Sequence, residues 1–219
     1  HIVSHNLRSH SSNMEMLLTL YLEDKPEEKD NQIFGFLKNG CDNLKETIEH
    51  LNEVVAINAL TNENLEPINL NKVVNSSIEN VIQLAKERNV SIVNRVRSNV
   101  DILGVSAYLD SIVLNFLTNG IKYSSNERKS EVVLSTLKKQ QYTVLQVKDN
   151  GLGIDLKRHG AKLFGMYKTF HRNKDSRGIG LFITKNQIEA MGGKIEVEST
   201  PDVGTTFKIY FKTAAPQLA

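Results

Sequence analysis

The chain has 219 residues, 27 Lys and Arg against 25 Asp and Glu, four Pro, one Cys and no Trp, a length that suits one large domain or two small ones. With 40% hydrophobic and 24% charged residues it is not a disordered chain, and a formal net charge of +2 is too small to mark a nucleic-acid binder. The single Cys41 excludes an intrachain disulfide and a Cys-rich zinc site, and no stretch approaches the roughly 20 apolar residues of a membrane span.

These features read as a soluble, cytoplasmic chain. Residues 1–64 carry helical periodicity and no strand-like run. Val3, Leu7, His10, Met14, Leu17 and Tyr21 are spaced 4, 3, 4, 3, 4. After a charged break containing Pro26, the same rhythm returns in Leu37, Cys41, Leu44, Ile48, Leu51 and Val55. The pattern predicts a heptad seam on each of two helices, residues 3–24 and 28–62, joined by a short turn. Two helices cannot enclose their own apolar stripes on all sides. The economical solution is a second copy of the hairpin, a dimeric four-helix bundle; the alternative packs the hairpin onto the rest of its own chain. The pattern is helical from the start, which predicts continuation into an upstream domain.

Glu66, Pro67, Ile68 and Asn69 interrupt the heptads, so a boundary is expected between residues 1–64 and 65–219. Beyond it, helices are expected at 71–88, 106–122 and 179–191. Strands are expected at 66–70, 90–96, 100–103, 131–138, 142–148, 194–199 and 205–212. The last two strands alternate strictly: Ile195 and Val197 against Lys194, Glu196 and Glu198, then Phe207, Ile209 and Phe211 against Lys208 and Tyr210. This order of elements predicts an α+β sandwich with helices on one face of a mixed sheet.

Four constellations could carry chemistry. On the 106–122 helix, Asn115, Asn119 and Lys122 form a polar stripe beside an apolar face made of Leu109, Ile112, Val113, Phe116, Leu117 and Gly120. The stripe could be solvated surface, or it could hold a magnesium-bridged polyphosphate, since amide oxygens are hard ligands and Lys is a point charge for phosphate. Asp149-Asn150-Gly151-Leu152-Gly153 follows a strand directly; an Asp there can accept from an exocyclic amine, and the glycines admit a flat ring. Gly178-Ile179-Gly180-Leu181 opens a helix after the basic stretch 168–177, where unsatisfied amides make a phosphate seat. Gly204-Thr205-Thr206-Phe207 begins the last strand. Each of these could also be an ordinary turn or helix start.

Taken in order, the Asn-bearing helix, DxGxG, a basic lid, GxGL and GTTF resemble the N, G1, F, G2 and G3 boxes of the GHKL ATP-binding superfamily, and specifically of sensor histidine kinases. Upstream, Ser4-His5-Asn6-Leu7-Arg8-Ser9-His10 resembles the H box of that family. The resemblance spans practically the whole chain. It implies a dimerisation and histidine-phosphotransfer hairpin followed by a Bergerat-type ATP-binding domain, with ATP and Mg2+ as cofactors. It also implies a homodimer, a response-regulator receiver domain as phosphoryl acceptor, an upstream sensor domain and no nucleic-acid partner.

By position in these boxes, His5 is the implied phosphoacceptor, with Asn6 and Ser9 beside it. The heptad puts His5 at f, away from the seam, and His10 at d, where burial is expected. Asn119 is the implied Mg2+ ligand, with Asn115, Lys122 and Tyr123 around the phosphates and nucleotide. Asp149 is implied to read the adenine amino group, with Gly151 and Gly153 leaving room for the ring and Thr205 assisting a water bridge. Phe164 and Tyr167 resemble the F box, and Lys168 is the implied γ-phosphate contact. Gly178, Ile179, Gly180 and Leu181 form the implied phosphate seat.

The chain also departs from the family pattern. Asn6 stands where Glu or Asp usually accepts the second imidazole proton, and an amide cannot remove a proton near neutral pH. Ser9 stands where Asn or Thr often orients a hydrolytic water, and Ser11 replaces a proline that commonly kinks this helix. Two other functions fit parts of the pattern: a GHKL ATPase, which needs a Glu where this chain has Asn115, and a non-catalytic ATP-binding dimeric scaffold.

Overall fold

The computed structural model describes residues 2–58, 65–165 and 179–214; the side chains of 2–8, 11, 29, 30, 46, 49–56, 58 and 161 are outside that description. The chain divides into two units, His1–Ala59 and Leu60–Ala219.

The first unit is an antiparallel helical hairpin. Helix α1 spans Ile2–Asp24 and α2 spans Gln32–Asn58. Between them, Pro26–Asp30 forms a 3₁₀ turn rather than the first turn of α2, so the second helix starts four residues later than the periodicity predicts. Pro26 suits the start of that turn because it has no N–H to leave unpaired. Asn31 then stops it: its Oδ1 accepts from the Ile33 N–H at 3.0 Å, an amide cap at the opening of α2. The expected end of that helix, at residue 62, lies outside the described residues.

Within the hairpin, Lys45 pairs with Glu15 at 3.1 Å, and Cys41 and Ile48 lie buried on the same face of α2 as Lys45. Among the described side chains of α1, Glu15, Leu18 and Leu22 are the half-buried positions, one residue out of phase with the heptad seam. Most of the seam is open: Met14 is 46% and Leu17 61% exposed, and on α2 Leu37 and Leu44 are exposed too, while the Tyr21 ring stacks on Phe34 of α2 at 4.8 Å. His10, expected to be buried at d, is likewise exposed. The exposure has a simple cause. A two-helix contact uses one edge of each helix, and the stripe beside that edge is left without a cover in a single chain.

The second unit is a two-layer α+β sandwich. Strand β1 (Glu66–Asn69) pairs antiparallel with β3 (Asp101–Gly104) in a small sheet. The main sheet has the order β2-β4-β5-β7-β6, formed by Val90–Arg95, Ser130–Lys139, Tyr142–Asp149, Gly204–Lys212 and Lys194–Thr200. Its β2–β4 pair is parallel and the remaining pairs are antiparallel, which makes it mixed. Helices α3 (Leu70–Glu87), α4 (Ser106–Lys122) and α6 (Gly180–Ala190) pack on one face of it. Asn69 caps α3 by accepting from the Lys72 N–H at 3.1 Å. A short helix α5 (Leu156–His159), capped by Asp155, was not expected from periodicity because four residues carry too little pattern.

The core lies between α4 and the middle strands. Leu109, Ile112, Val113, Phe116, Leu117 and Ile121 of α4 are all 2% exposed or less, against Val132, Leu134, Leu145, Val147, Phe207 and Ile209 of the sheet. The Phe116 and Phe207 rings meet at 4.8 Å. A Cβ on Gly120 would stand 2.8 Å from Val132 Cγ2, so this glycine sets how closely α4 approaches β4. Among the described residues no helix is long and apolar enough to cross a membrane.

Candidate functional site

Two groups of the expected residues come together in the second unit. The first lies where α4 meets α6. Asn115 Nδ2 donates to Thr184 Oγ1 at 2.6 Å, and Asn119 Nδ2 donates to Asn115 Oδ1 at 3.2 Å. A Cβ on Gly180 would lie 2.6 Å from Asn115 Oδ1. The two amides are thus oriented in series, and the amide oxygen of Asn119 is turned away from Asn115, where a hard cation could take it. Lys122 follows one turn later and is half-buried. Among the described residues no group of three or more His, Cys, Asp or Glu could hold a metal ion, so a divalent ion here would draw on an amide oxygen and on ligand phosphates.

Gly180 is the first residue of α6, and Ile179 at its N-cap position has no polar side chain to satisfy the first amides. Ile179 is buried and Leu181 packs against the core. These two side chains serve packing, and the backbone amides at this helix start carry no side-chain cap. Gly178 and Lys168 lie outside the described residues, as does Tyr167. Phe164 is placed: it packs against the core, with Lys185 Nζ 5.9 Å from its ring centroid.

The second group lies at the end of β5. Asp149 Oδ1 accepts from the Gly151 N–H at 2.9 Å and from the Thr205 N–H at 3.1 Å. Both bonds fall on one oxygen, which orients the carboxylate. Burial raises the Asp149 pKa above the ordinary carboxylate value, and the amides of Gly151 and Thr205 offset part of that rise.

The glycines here are matters of space. A Cβ on Gly151 would stand 2.3 Å from the Tyr123 carbonyl oxygen; one on Gly153, whose φ is +66°, would stand 2.0 Å from the Thr200 carbonyl oxygen. The Tyr123 carbonyl also accepts from the Leu152 N–H at 2.9 Å, which ties the end of α4 to the glycine loop. Tyr123 thus enters the site through its backbone.

Three residues at the site were not anticipated. Thr184 orients Asn115, Asn150 bridges its loop to the start of β4 through Lys129 and Glu131, and Ser199 contacts Ile154, Gly204 and Thr205. Thr184 and Ser199 did leave a signal, since each is a polar residue at an inward position. Ser199 follows Ile195 and Val197 in the period of β6, and Thr184 is 1% exposed beside Ile183 on α6. His5 and Asn6 lie in the first turns of α1 with side chains outside the described set, and Ser9 is exposed.

A family model described as "Histidine kinase-, DNA gyrase B-, and HSP90-like ATPase" matches residues 104–215. The chain is 27% identical over 185 residues to the circadian input-output histidine kinase CikA of Synechocystis, covering 78% of this chain and 24% of that protein. It is 26% identical over 216 residues to the sensor protein kinase WalK of Staphylococcus haemolyticus, covering 94% of this chain and 35% of that protein. The chain therefore spans about a quarter to a third of the length of these relatives. Among solved structures, full-length ShkA in complex with AMPPNP superposes with a TM-score of 0.69 at 23% identity, over 99% of this chain and 46% of that one, a likeness of fold. With more than half of its length matched by the family model, including α4, the Asp149 loop and the start of α6, the chain belongs to the histidine kinase-, DNA gyrase B- and HSP90-like ATPase family.

Proposed function

We propose that the chain is the kinase portion of a sensor histidine kinase: it binds ATP with Mg2+ in its second unit, phosphorylates His5, and passes the phosphoryl group to an aspartate of a response-regulator receiver domain. The observation that carries this reading is the Asp149 carboxylate, anchored through one oxygen by the Gly151 and Thr205 amides at a strand end. An acceptor held so firmly beside tight glycines suits a flat base with an exocyclic amine. Family membership and the kinase relatives support the same reading.

In this proposal residues 1–64 are the dimerisation and phosphotransfer hairpin and 65–219 the catalytic domain. The exposed Met14 and Leu17 favour a second copy of the hairpin, which would complete a four-helix bundle. Asn119 would hold Mg2+, which supplies charge neutralisation on the phosphate oxygens. Asn115 orients Asn119, and Lys122, Lys168 and the amides at Gly178 and Gly180 would meet the phosphates. A neutral imidazole nitrogen of His5 forms the new N–P bond as the bond from the γ-phosphorus to the β–γ bridging oxygen breaks, and ADP leaves. With Asn115 where a water-activating Glu would be needed, hydrolysis has no base at that position.

The test is incubation of the full chain with γ-labelled ATP and Mg2+. Acid-labile, base-stable label that disappears in His5→Gln is the expected result. Label that persists in that variant would assign the wrong residue, and nucleotide binding with no label at all would favour the scaffold.

A further inference from the structure

Ser199 and Thr205 are register partners across the β6–β7 hairpin, and their hydroxyls lie 2.9 Å apart. Either could donate to the other by distance alone, but the other partners of Ser199 decide the direction. Ser199 Oγ accepts from the Ile154 N–H at 2.8 Å, and it faces the Gly204 carbonyl oxygen at 2.9 Å. An amide N–H can only donate and a carbonyl oxygen can only accept, so the one proton of Ser199 goes to Gly204. The Thr205 proton must then go to Ser199, which completes the valence of the Ser199 hydroxyl with one bond given and two received.

We propose that Ser199 is a specificity-determining positioning residue: by taking the Thr205 proton, it holds the Thr205 hydroxyl as a pure acceptor on the base-recognition wall. This inference rests on the adenine-nucleotide reading above. Thr205 stands beside Asp149, to which its own N–H donates, and it is buried. The wall therefore offers a ligand two acceptors, the Asp149 carboxylate and Thr205 Oγ1. A 6-amino purine brings donors to such a wall. A 6-oxo purine places an oxygen where the amine donors stood, and no donor on these two side chains can turn to meet it; its N1–H sits at the neighbouring ring position and does not replace the amine. Specificity arises from the unpaired acceptors that the wrong base leaves behind. The Ser199 hydroxyl also staples the Gly153–Ile154 loop to the hairpin by accepting from the Ile154 N–H, so the direction of one proton and the position of the glycine loop are set together.

Equilibrium binding of ATP and ITP to the full chain with Mg2+ tests the proposal through the ratio of the two affinities, which a general loosening of the site does not change. In Ser199→Ala the Thr205 proton is released to turn toward the 6-oxo group, and the preference for ATP over ITP should shrink by about tenfold. Ser199→Thr keeps the hydroxyl and should keep the wild-type ratio. Ser199→Cys fills the site with a weak donor and acceptor and should move the ratio as Ala does, which covers the case of an Ala variant that fails to fold. A folded Ala or Cys variant with the wild-type ratio, or one that loses both nucleotides in parallel, overturns the role of Ser199. A wild-type chain that binds neither nucleotide overturns the adenine reading itself, an outcome distinct from a wild type that binds ATP and variants that keep its preference.

Discussion

Gly180 lies against Asn115 so closely that a methyl group at its Cα would stand 2.6 Å from the Asn115 amide oxygen. The contact joins the first residue of α6 to the middle of α4, 65 positions away in sequence. Its neighbour Thr184 holds the other end of the same amide at 2.6 Å. The orientation of Asn115 is thus set from both sides by one helix, and Asn119 inherits it.

Gly180→Ala should separate binding from stability. At this first helical position Ala gains little over Gly, and the atom it displaces is the end of a side chain, so the melting temperature should change little. The displaced amide can no longer align Asn119, and affinity for Mg-ATP should fall by about tenfold, the scale of one lost hydrogen bond in a charged site. Calorimetry and nucleotide titration on the same sample check both halves.

Asp149→Asn should show a similar split with a different cause. Burial makes the ionised carboxylate costly in the folded state, and an Asn oxygen can still receive the Gly151 and Thr205 amides. Stability at pH 7 should be equal or higher, while ATP affinity falls by at least about tenfold because a charged acceptor is replaced. The pH dependence carries the same sign. A carboxyl whose folded pKa is raised holds its proton more tightly when folded, so its contribution to stability declines as the pH rises from below 3.8 through the folded-state value. Nucleotide affinity, which needs the ionised form, should be lost as the pH falls through that raised value, earlier than for an ordinary Asp. A titration of ATP affinity from neutral to acid pH reads it directly.

Gly153→Ala and Gly160→Ala form a matched pair. At Gly153 the backbone is left-handed and the Thr200 carbonyl would lie 2.0 Å from the new methyl, so destabilisation of about 2 kcal/mol or more is expected. At Gly160 only Leu156 Cβ comes near, at 3.7 Å, and the conformation is right-handed, so the change should be neutral or stabilising by about 0.5 kcal/mol. Denaturant midpoints of the two variants test the contrast.

Leu17→Glu should convert a dimer to a monomer. Leu17 is 61% exposed within one chain, so a charge there costs little in the isolated hairpin and much under a second copy. Light scattering of wild type and variant distinguishes these, and a wild type that is already monomeric would remove the bundle from the proposal.

Asn6→Asp should speed autophosphorylation by about tenfold or more by supplying a group that can accept the second imidazole proton. The measurement is the initial rate of labelling at matched ATP occupancy. Equal or slower labelling would reject this account of Asn6.

Local pattern carried a large part of this molecule. The span of α4, its buried face from Leu109 to Gly120, and the alternation of β6 and β7 were all legible because helix and strand periods are properties of consecutive residues. The boxes around Asn119, Asp149 and Gly180 were legible for the same reason, each being short and contiguous. By contrast, the burial of the Ile179 and Leu181 side chains against the core could not be read from their four-residue motif.

Sequence alone determined which segments would be helix or strand and which residue types could meet a nucleotide. Only the tertiary structure decided that α1 meets α2 through Glu15 and Tyr21 while Met14 and Leu17 stay exposed, that Thr184 orients Asn115, and that the Ser199 and Thr205 hydroxyls meet. The physical reason is common to all three. Each depends on the register in which distant segments meet, and the direction of a hydrogen bond is fixed by all the partners of a group together, so it cannot be assigned until those partners are side by side.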